Sequence, residues 1–241
     1  VDLVFAGHME PDLEVGTIGI FKGTGYAAAD LFFVTITGQG GHGGRPHKTR
    51  DPLTAGAYFV TALQTLVARN MNPMDPAVVS LGKFHSGAVG NIIPESAVLE
   101  GTIRTHSTAA RNLIIKRLTE LTKGLETLFD VKCQLDIEAE TPCCNNDEQL
   151  SLFLYDIGSD LLGKNRVKWL QPTMGSEDFA FFTKERPSAI VRLGCCNTAK
   201  GITAPLHSPY FDIDEAVLDI GVQFFLKALT TYLTPETDNP T

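Results

Sequence analysis

The chain has 241 residues, 43% hydrophobic and 20% charged, which suffices for one large core or two smaller ones and is ordinary for a soluble globular protein. A formal net charge of −8 with no basic patch excludes a nucleic-acid surface, and no uninterrupted apolar run approaches the roughly 20 residues a bilayer span needs. Five cysteines (Cys133, Cys143, Cys144, Cys195, Cys196), an odd number with no C-x-x-C spacing, read as thiols in a reducing, cytoplasmic compartment rather than as a disulfide framework or metal cluster.

Val1–Gly7 lacks the basic start and long apolar stretch of a signal peptide and reads as a strand, as does Thr17–Phe21. Leu31–Gly38 is a stronger strand, with Val34 and Ile36 alternating against Phe33, Thr35 and Thr37. A glycine-dense loop, Gln39 to His47, leads to a helix over Asp51–Arg69, with Asp51 as N-cap, Pro52 at the first turn and an apolar stripe of Ala55, Tyr58, Phe59, Ala62, Leu63 and Leu66. Strands follow at Ala77–Phe84 and Ala97–Thr105, then a helix at Thr108–Leu128 capped by Ser107 or Thr108, then a strand at Val131–Glu138. Residues 31–138 thus spell β-α-β-β-α-β, a four-stranded sheet backed by two helices. Beyond it come helices at Asp147–Leu162 and Asp214–Leu233, a strand at Ser188–Leu193, and a polar tail, Thr234–Thr241, that reads as disordered. The fold class is α/β: residues 1–30 and 139–241 form parts of one α/β domain into which the ferredoxin-like unit 31–138 is inserted.

Two histidines nearly two hundred residues apart have similar settings. His8 closes an apolar run before Met9-Glu10-Pro11, and His207 lies in Pro205-Leu206-His207-Ser208-Pro209. Each is expected where a hydrophobic segment ends at a Pro-bearing turn, the usual place for a ligand at the rim of an α/β sheet. Imidazole is the commonest metal ligand at neutral pH, so the pair suggests parts of one metal site; either alone reads equally as a hydrogen-bonded turn histidine. Other segments have plain readings too. The Gly-Gly-His loop around His42 could be a tight connection whose glycines supply positive φ. Arg104 could pair with Glu100 across a solvated strand face, and Glu177-Asp178 could be an acidic first helical turn.

In order, the segments Gly7-His8-Met9-Glu10-Pro11, Gly40-Gly41-His42 with Pro46-His47, Asn91-Ile92-Ile93-Pro94, Gly101-Thr102-Ile103-Arg104-Thr105, Met174-Gly175-Ser176-Glu177-Asp178-Phe179 and Pro205-Leu206-His207-Ser208-Pro209 resemble one family over essentially the whole chain. It is the metal-dependent amidohydrolases of the aminoacylase and carboxypeptidase G type, especially the branch acting on N-acyl, hippuryl and indoleacetyl amino acids. The resemblance implies a partial catalytic α/β domain with a ferredoxin-like lid that forms a homodimer. It implies two divalent metal ions (zinc or manganese, with cobalt or nickel also suited) held in part by His8 and His207. His42 is implied as the lid histidine that steadies the oxyanion in the partner's site, Asn91 and Arg104 as substrate-binding residues, and Ser176 and Glu177 as parts of a loop bordering the pocket.

The family's Cys-Gly-His-Asp and Glu-Glu motifs, which supply further ligands and the general base, have no counterpart in these 241 residues. Two imidazoles fall short of the three protein ligands a catalytic zinc normally has, so the chain by itself is expected to be slow or inactive. Hydrolysis of an N-acyl amino acid or similar small amide is the first reading. The alternatives are an incomplete chain acting only as a dimerisation or binding module, and a dipeptidase or carboxypeptidase of the same superfamily.

Overall fold

The computed structural model describes residues 1–234; the polar tail lies outside the described residues apart from Thr234. The strands are β1 (Val4–Glu14), β2 (Ile18–Ile20), β3 (Thr24–Tyr26), β4 (Ala28–Thr37), β5 (Gly41–His42), β6 (Ala77–Ser86), β7 (Ile92–Ile93), β8 (Ser96–Thr105), β9 (Lys132–Thr141), β10 (Cys144–Asn145), β11 (Val167–Trp169) and β12 (Ser188–Cys196). The helices are α1 (Pro52–Asn70), α2 (Thr108–Phe129), α3 (Glu148–Leu162), α4 (Ala180–Glu185) and α5 (Ala216–Leu233). These elements gather into two units, each with its own core. One comprises Val1–Gly25, Asn145–Pro172 and the chain from Phe179 onward; the other comprises Tyr26–Cys144 with Thr173–Asp178.

The second unit has the β-α-β-β-α-β order expected from periodicity, with antiparallel strands in the order β6-β8-β4-β9. Alternation along β4 turns Phe32, Val34 and Ile36 to one face, where β8 adds Ala97, Leu99 and Ile103. α1 covers that face with Ala55, Phe59, Leu63 and Leu66, and α2 with Ile114, Leu118 and Leu125. Asp51 caps α1, its Oδ1 accepting from the amides of Leu53 (2.9 Å) and Thr54 (3.1 Å). At α2 the cap is Ser107, whose Oγ accepts from Ala110 N at 3.0 Å. The start of β4 is tied to α2 by a bidentate pair, Arg111 Nε and Nη2 to Asp30 at 2.8 and 2.7 Å, with the Asp30 side chain 1% exposed. The unit starts at Tyr26 rather than Leu31 because β4 begins at Ala28, ahead of the obvious β-branched run.

The first unit is built on a four-stranded sheet of order β1-β12-β2-β11. β12 runs parallel to β1 and antiparallel to β2, and every residue from Ser188 to Cys195 is buried, as a central strand requires. Ala189, Val191, Leu193 and Cys195 face a core completed by Leu150, Leu154 and Ile157 of α3 and Val217, Phe224 and Ala228 of α5. α5 is long and apolar enough by composition to cross a bilayer. Here Val217, Gly221, Phe224 and Ala228 are buried in the core, while Asp219, Gln223 and Lys227 interrupt its outer side at four-residue spacing. Leu218, Val222, Leu226 and Leu229 on that outer side are exposed.

Candidate active site

His8 departs from expectation in its local setting. β1 does not stop at His8 but continues through Pro11 to Glu14, so the imidazole is half-buried within the strand, paired in register with Arg192 of β12. Proline is tolerated because β1 is an edge strand of its sheet and the ladder shifts register between Glu10 and Glu14, leaving no amide needed at position 11. His8 Nδ1 lies 2.7 Å from Met9 O. A carbonyl oxygen only accepts, so Nδ1 carries the proton and Nε2 of the neutral ring keeps its lone pair. This arrangement orients metal-ligating histidines.

Two further residues share this face. Glu10 follows His8 by two positions, and Arg192 lies opposite His8, forming an ion pair with Glu10 at 3.6 Å. Both side chains are largely buried, Arg192 more so. Strand alternation alone puts His8 and Glu10 on one face, but only the register brings in Arg192.

His207 is on the loop leaving the C-terminal end of β12, the strand beside His8. It is exposed, in a turn, at φ 63°, one of two non-glycine residues with positive φ among the described residues. Histidine is among the residue types enriched in that region. Among the described residues no group of three or more His, Cys, Asp or Glu side chains is arranged to hold a metal ion. The cysteines do not supply one: none of the five is in a disulfide, and burial, followed by the Glu126 charge, pushes the Cys133 thiol up to about 11.

His42 ends β5, which pairs with β7 so that His42 faces Ile92, the neighbour of Asn91. Gly43 N donates to Asn91 O at 2.8 Å, so the ribbon brings His42 and Asn91 together. Gly44 N donates to His42 Nδ1 at 2.9 Å. An amide only donates, so Nδ1 is an acceptor and the proton of the exposed ring sits on Nε2, free to be given to an anionic oxygen. The glycines here are not explained by positive φ, which none of Gly40, Gly41, Gly43 and Gly44 adopts. Close approach explains them: a Cβ on Gly40 would lie 2.7 Å from Ile93 O, and one on Gly43 3.0 Å from Asn91 O.

Arg104 lies on the face of β8 opposite the helices, between Ala29 of β4 and Val78 of β6. It does not pair with Glu100, whose partner is Lys83. Its Nη1 is buried and has no hydrogen-bond partner among the described residues, an expensive state for a guanidinium nitrogen unless something else meets it. Ser176 and Glu177 lie in irregular chain, Ser176 exposed and Glu177 half-buried; they do not open a helix, since α4 starts at Ala180. Their segment is fixed by Ala27 N donating to Gly175 O at 2.9 Å, and by His106 Nε2 at 2.9 Å from Thr173 O. Ala27 precedes the strand end where Ala29 meets Arg104, so this loop and Arg104 belong to the same end of the sheet.

The profile of peptidase family M20/M25/M40 matches residues 1–231. The chain belongs to this family. An N-acetyldiaminopimelate deacetylase of Lactococcus lactis subsp. cremoris (strain SK11) is 38% identical over 224 residues, which is 92% of this chain and 58% of that protein. IAA-amino acid hydrolase ILR1-like 4 of Arabidopsis thaliana is 33% identical over 237 residues, 97% of this chain and 54% of that protein. The Bacillus subtilis YXEP protein, described as a dinuclear metal-binding peptidase of the M20 family, superposes with a TM-score of 0.79 at 26% identity, covering 97% of this chain and 58% of that one. The M20/M25/M40 chain therefore spans a little over half the length of these relatives. Its fold is that of the family, part of a catalytic α/β domain together with a lid domain.

Asp214, buried ahead of α5, anchors the end of the His207 loop in this M20 chain. It accepts from Lys200 Nζ at 2.9 Å, from Asn197 Nδ2, and from Ala216 N at 3.1 Å. The Lys200 contact, then those of Asn197 and Ala216, hold its carboxyl at about 2 against an ordinary 3.8. A depressed folded-state value means stability present above about pH 4 and lost as pH falls towards 2. Acid unfolding followed by circular dichroism should therefore begin in that window and be flatter there in Asp214→Asn; an identical acid limb in the variant would contradict the assignment.

Proposed function

We propose that the protein carrying this chain is a metal-dependent amidohydrolase that cleaves the amide bond of N-acyl amino acids. The observation that carries the reading is the buried, unpartnered Nη1 of Arg104 on the face of the lid sheet opposite its helices. A guanidinium held in that state is suited to the free carboxylate of an acyl amino acid, which supplies a bidentate acceptor. The names of the relatives, deacetylase and amino acid hydrolase, point to the same substrate class.

In this reading His8, through Nε2, and His207 hold part of a pair of divalent ions, zinc or manganese with cobalt or nickel also accepted. When bound, those ions polarise the scissile carbonyl and supply an activated water. The remaining steps belong to side chains. Arg104 and Asn91 seat the substrate by its carboxylate and amide, with Ser176 and Glu177 bordering the pocket. His42 donates from Nε2 to the oxygen that becomes negative. Two imidazoles are fewer than the ligands such a site needs, so the 241 residues assayed alone hydrolyse slowly.

The quaternary part of the reading is a homodimer through the lid, whose β6 lies at an edge of its sheet with one side unpaired among the described residues. Five cysteines without a disulfide suit the cytoplasm.

The test is hydrolysis of N-acetyl and N-benzoyl amino acids against the matching amino acid amides, which lack the carboxylate. In the active enzyme Arg104→Ala should raise KM for the acids by roughly 10- to 100-fold, the worth of a charged hydrogen bond, and leave the amides nearly unaffected. Equal effects on both substrates would remove Arg104 from carboxylate recognition.

A further inference from the structure

The chain between β12 and α5 carries His207 yet has no strand or α-helix of its own, and the structure shows what holds it. Glu14, the last residue of β1, is in register with Cys196, the last of β12. Its Oε1 accepts from Thr198 Oγ1, lies 3.4 Å from Thr198 N, and lies 3.8 Å from Cys196 Sγ. The two strands are in tight backbone contact just before: a Cβ on Gly194 would lie 2.3 Å from Glu14 O, and Val15 N donates to Cys196 O at 2.8 Å.

At the other end of the loop Asp214 receives Asn197 Nδ2 and Lys200 Nζ, while its own amide donates to Cys195 O at 3.0 Å. Asn197 closes the start of the loop onto Ile202 through reciprocal backbone bonds. Thus residues 197–200, a single short turn, are gripped from both sides, by the strand that bears His8 and by the residue that opens α5. Phe211 and Ile213 add apolar anchorage against the core. His207 sits at φ 63° midway along this tethered stretch, a conformation that persists where its surroundings over-determine it.

We propose that Glu14 and Asp214 are positioning residues for His207, clamping its loop to the strand that carries His8. Neither is placed as a ligand; they act through Thr198, Asn197 and Lys200. The purpose assigned to the clamp, presenting His207 together with His8 to a metal ion, rests on the function proposed above. The clamp itself is testable without it.

The test uses Glu14→Ala, Lys200→Met and Glu14→Gln in the 241-residue chain. Glu14 is exposed and Lys200 lies outside α5, so none of these removes a core contact or the helix cap. Amide hydrogen exchange across residues 203–212 and the ring resonances of His8 and His207 are read in each. Glu14→Ala and Lys200→Met should speed exchange in that segment by roughly tenfold or more and shift the His207 ring signal, leaving His8 and the β12 amides unchanged. Glu14→Gln, which keeps an acceptor for Thr198, should stay near the unmodified chain. Unchanged loop exchange and an unchanged His207 signal in Glu14→Ala and Lys200→Met would overturn the clamp. A separate zinc titration of the active enzyme that carries this chain, read on the same two ring signals, bears on the metal assignment: shifts in both support it, and a shift missing from either defeats it while leaving the clamp to the exchange data.

Discussion

His42→Ala in the active enzyme is expected to lower kcat for N-acetyl and N-benzoyl amino acids by about 10²- to 10³-fold, with little change in KM. That is the usual cost of removing one donor from a developing oxyanion. The expectation comes from the ring's tautomer. Gly44 N–H occupies Nδ1, so the proton must sit on Nε2, and the ring is exposed on a two-stranded ribbon stiffened by Gly43 N to Asn91 O. A donor fixed in this way costs little to reorganise when charge appears. His42→Gln, whose side-chain amide also donates, should recover part of the loss. A KM rise with kcat intact would instead make His42 a ground-state binding residue, and an unaffected rate would remove it from the mechanism. If the lid forms the proposed dimer, mixing inactive His42→Ala protomers with protomers inactivated at His8 should restore activity in the hybrid.

The lid was legible because its signals are local and agree. Alternation along Leu31–Gly38 and Ala97–Thr105 and the Asp51-Pro52 start reappear in the structure within a few residues of the bounds read from sequence; of the helical stripe, Ala55, Phe59, Leu63 and Leu66 are buried, while Ala62 is half-buried and Tyr58 is exposed. The catalytic-domain strands were less so. β11 and β2 are three residues long, and β1 runs through a proline that in sequence reads as a stop. What made Pro11 acceptable is its edge position and a register shift, and neither is written in the residues around it. The same holds at the site. His42, Asn91 and Arg104 could be named from motifs, but the reason for the Gly-Gly-His glycines could not, since close backbone approach and positive φ demand the same residue. Arg192, Glu10, Glu14 and Asp214 went unassigned because each acts through partners 14 to 184 residues away.

The largest stability effects should fall where β4 crosses β8. Phe32 is fully buried and pairs in register with Gly101, and a Cβ built on Gly101 would lie 2.3 Å from Phe32 Cζ and 2.3 Å from Ser80 O of β6. Glycine ordinarily weakens a strand interior, but here the aromatic ring occupies the space a side chain would take, so Gly101 and Phe32 form one packing unit. Phe32→Ala should cost about 3 to 5 kcal/mol, the usual range for an emptied aromatic core site. Gly101→Ala should cost a similar ~3 kcal/mol or more by overpacking, since Ser80 O belongs to the β6–β8 ladder and cannot retreat without breaking it. Either loss is a large fraction of the roughly 5 to 15 kcal/mol typical of a whole domain. The double variant distinguishes the two clashes. Removing the ring relieves only the contact with Phe32, so Phe32→Ala/Gly101→Ala should remain less stable than Phe32→Ala alone. Urea unfolding followed by far-UV circular dichroism, with amide exchange in β4 and β8 to localise the change, measures this. Stability of Gly101→Ala within ~0.5 kcal/mol of the unmodified chain would show that the sheet can open at Ser80, and the close-approach explanation of this glycine would fall.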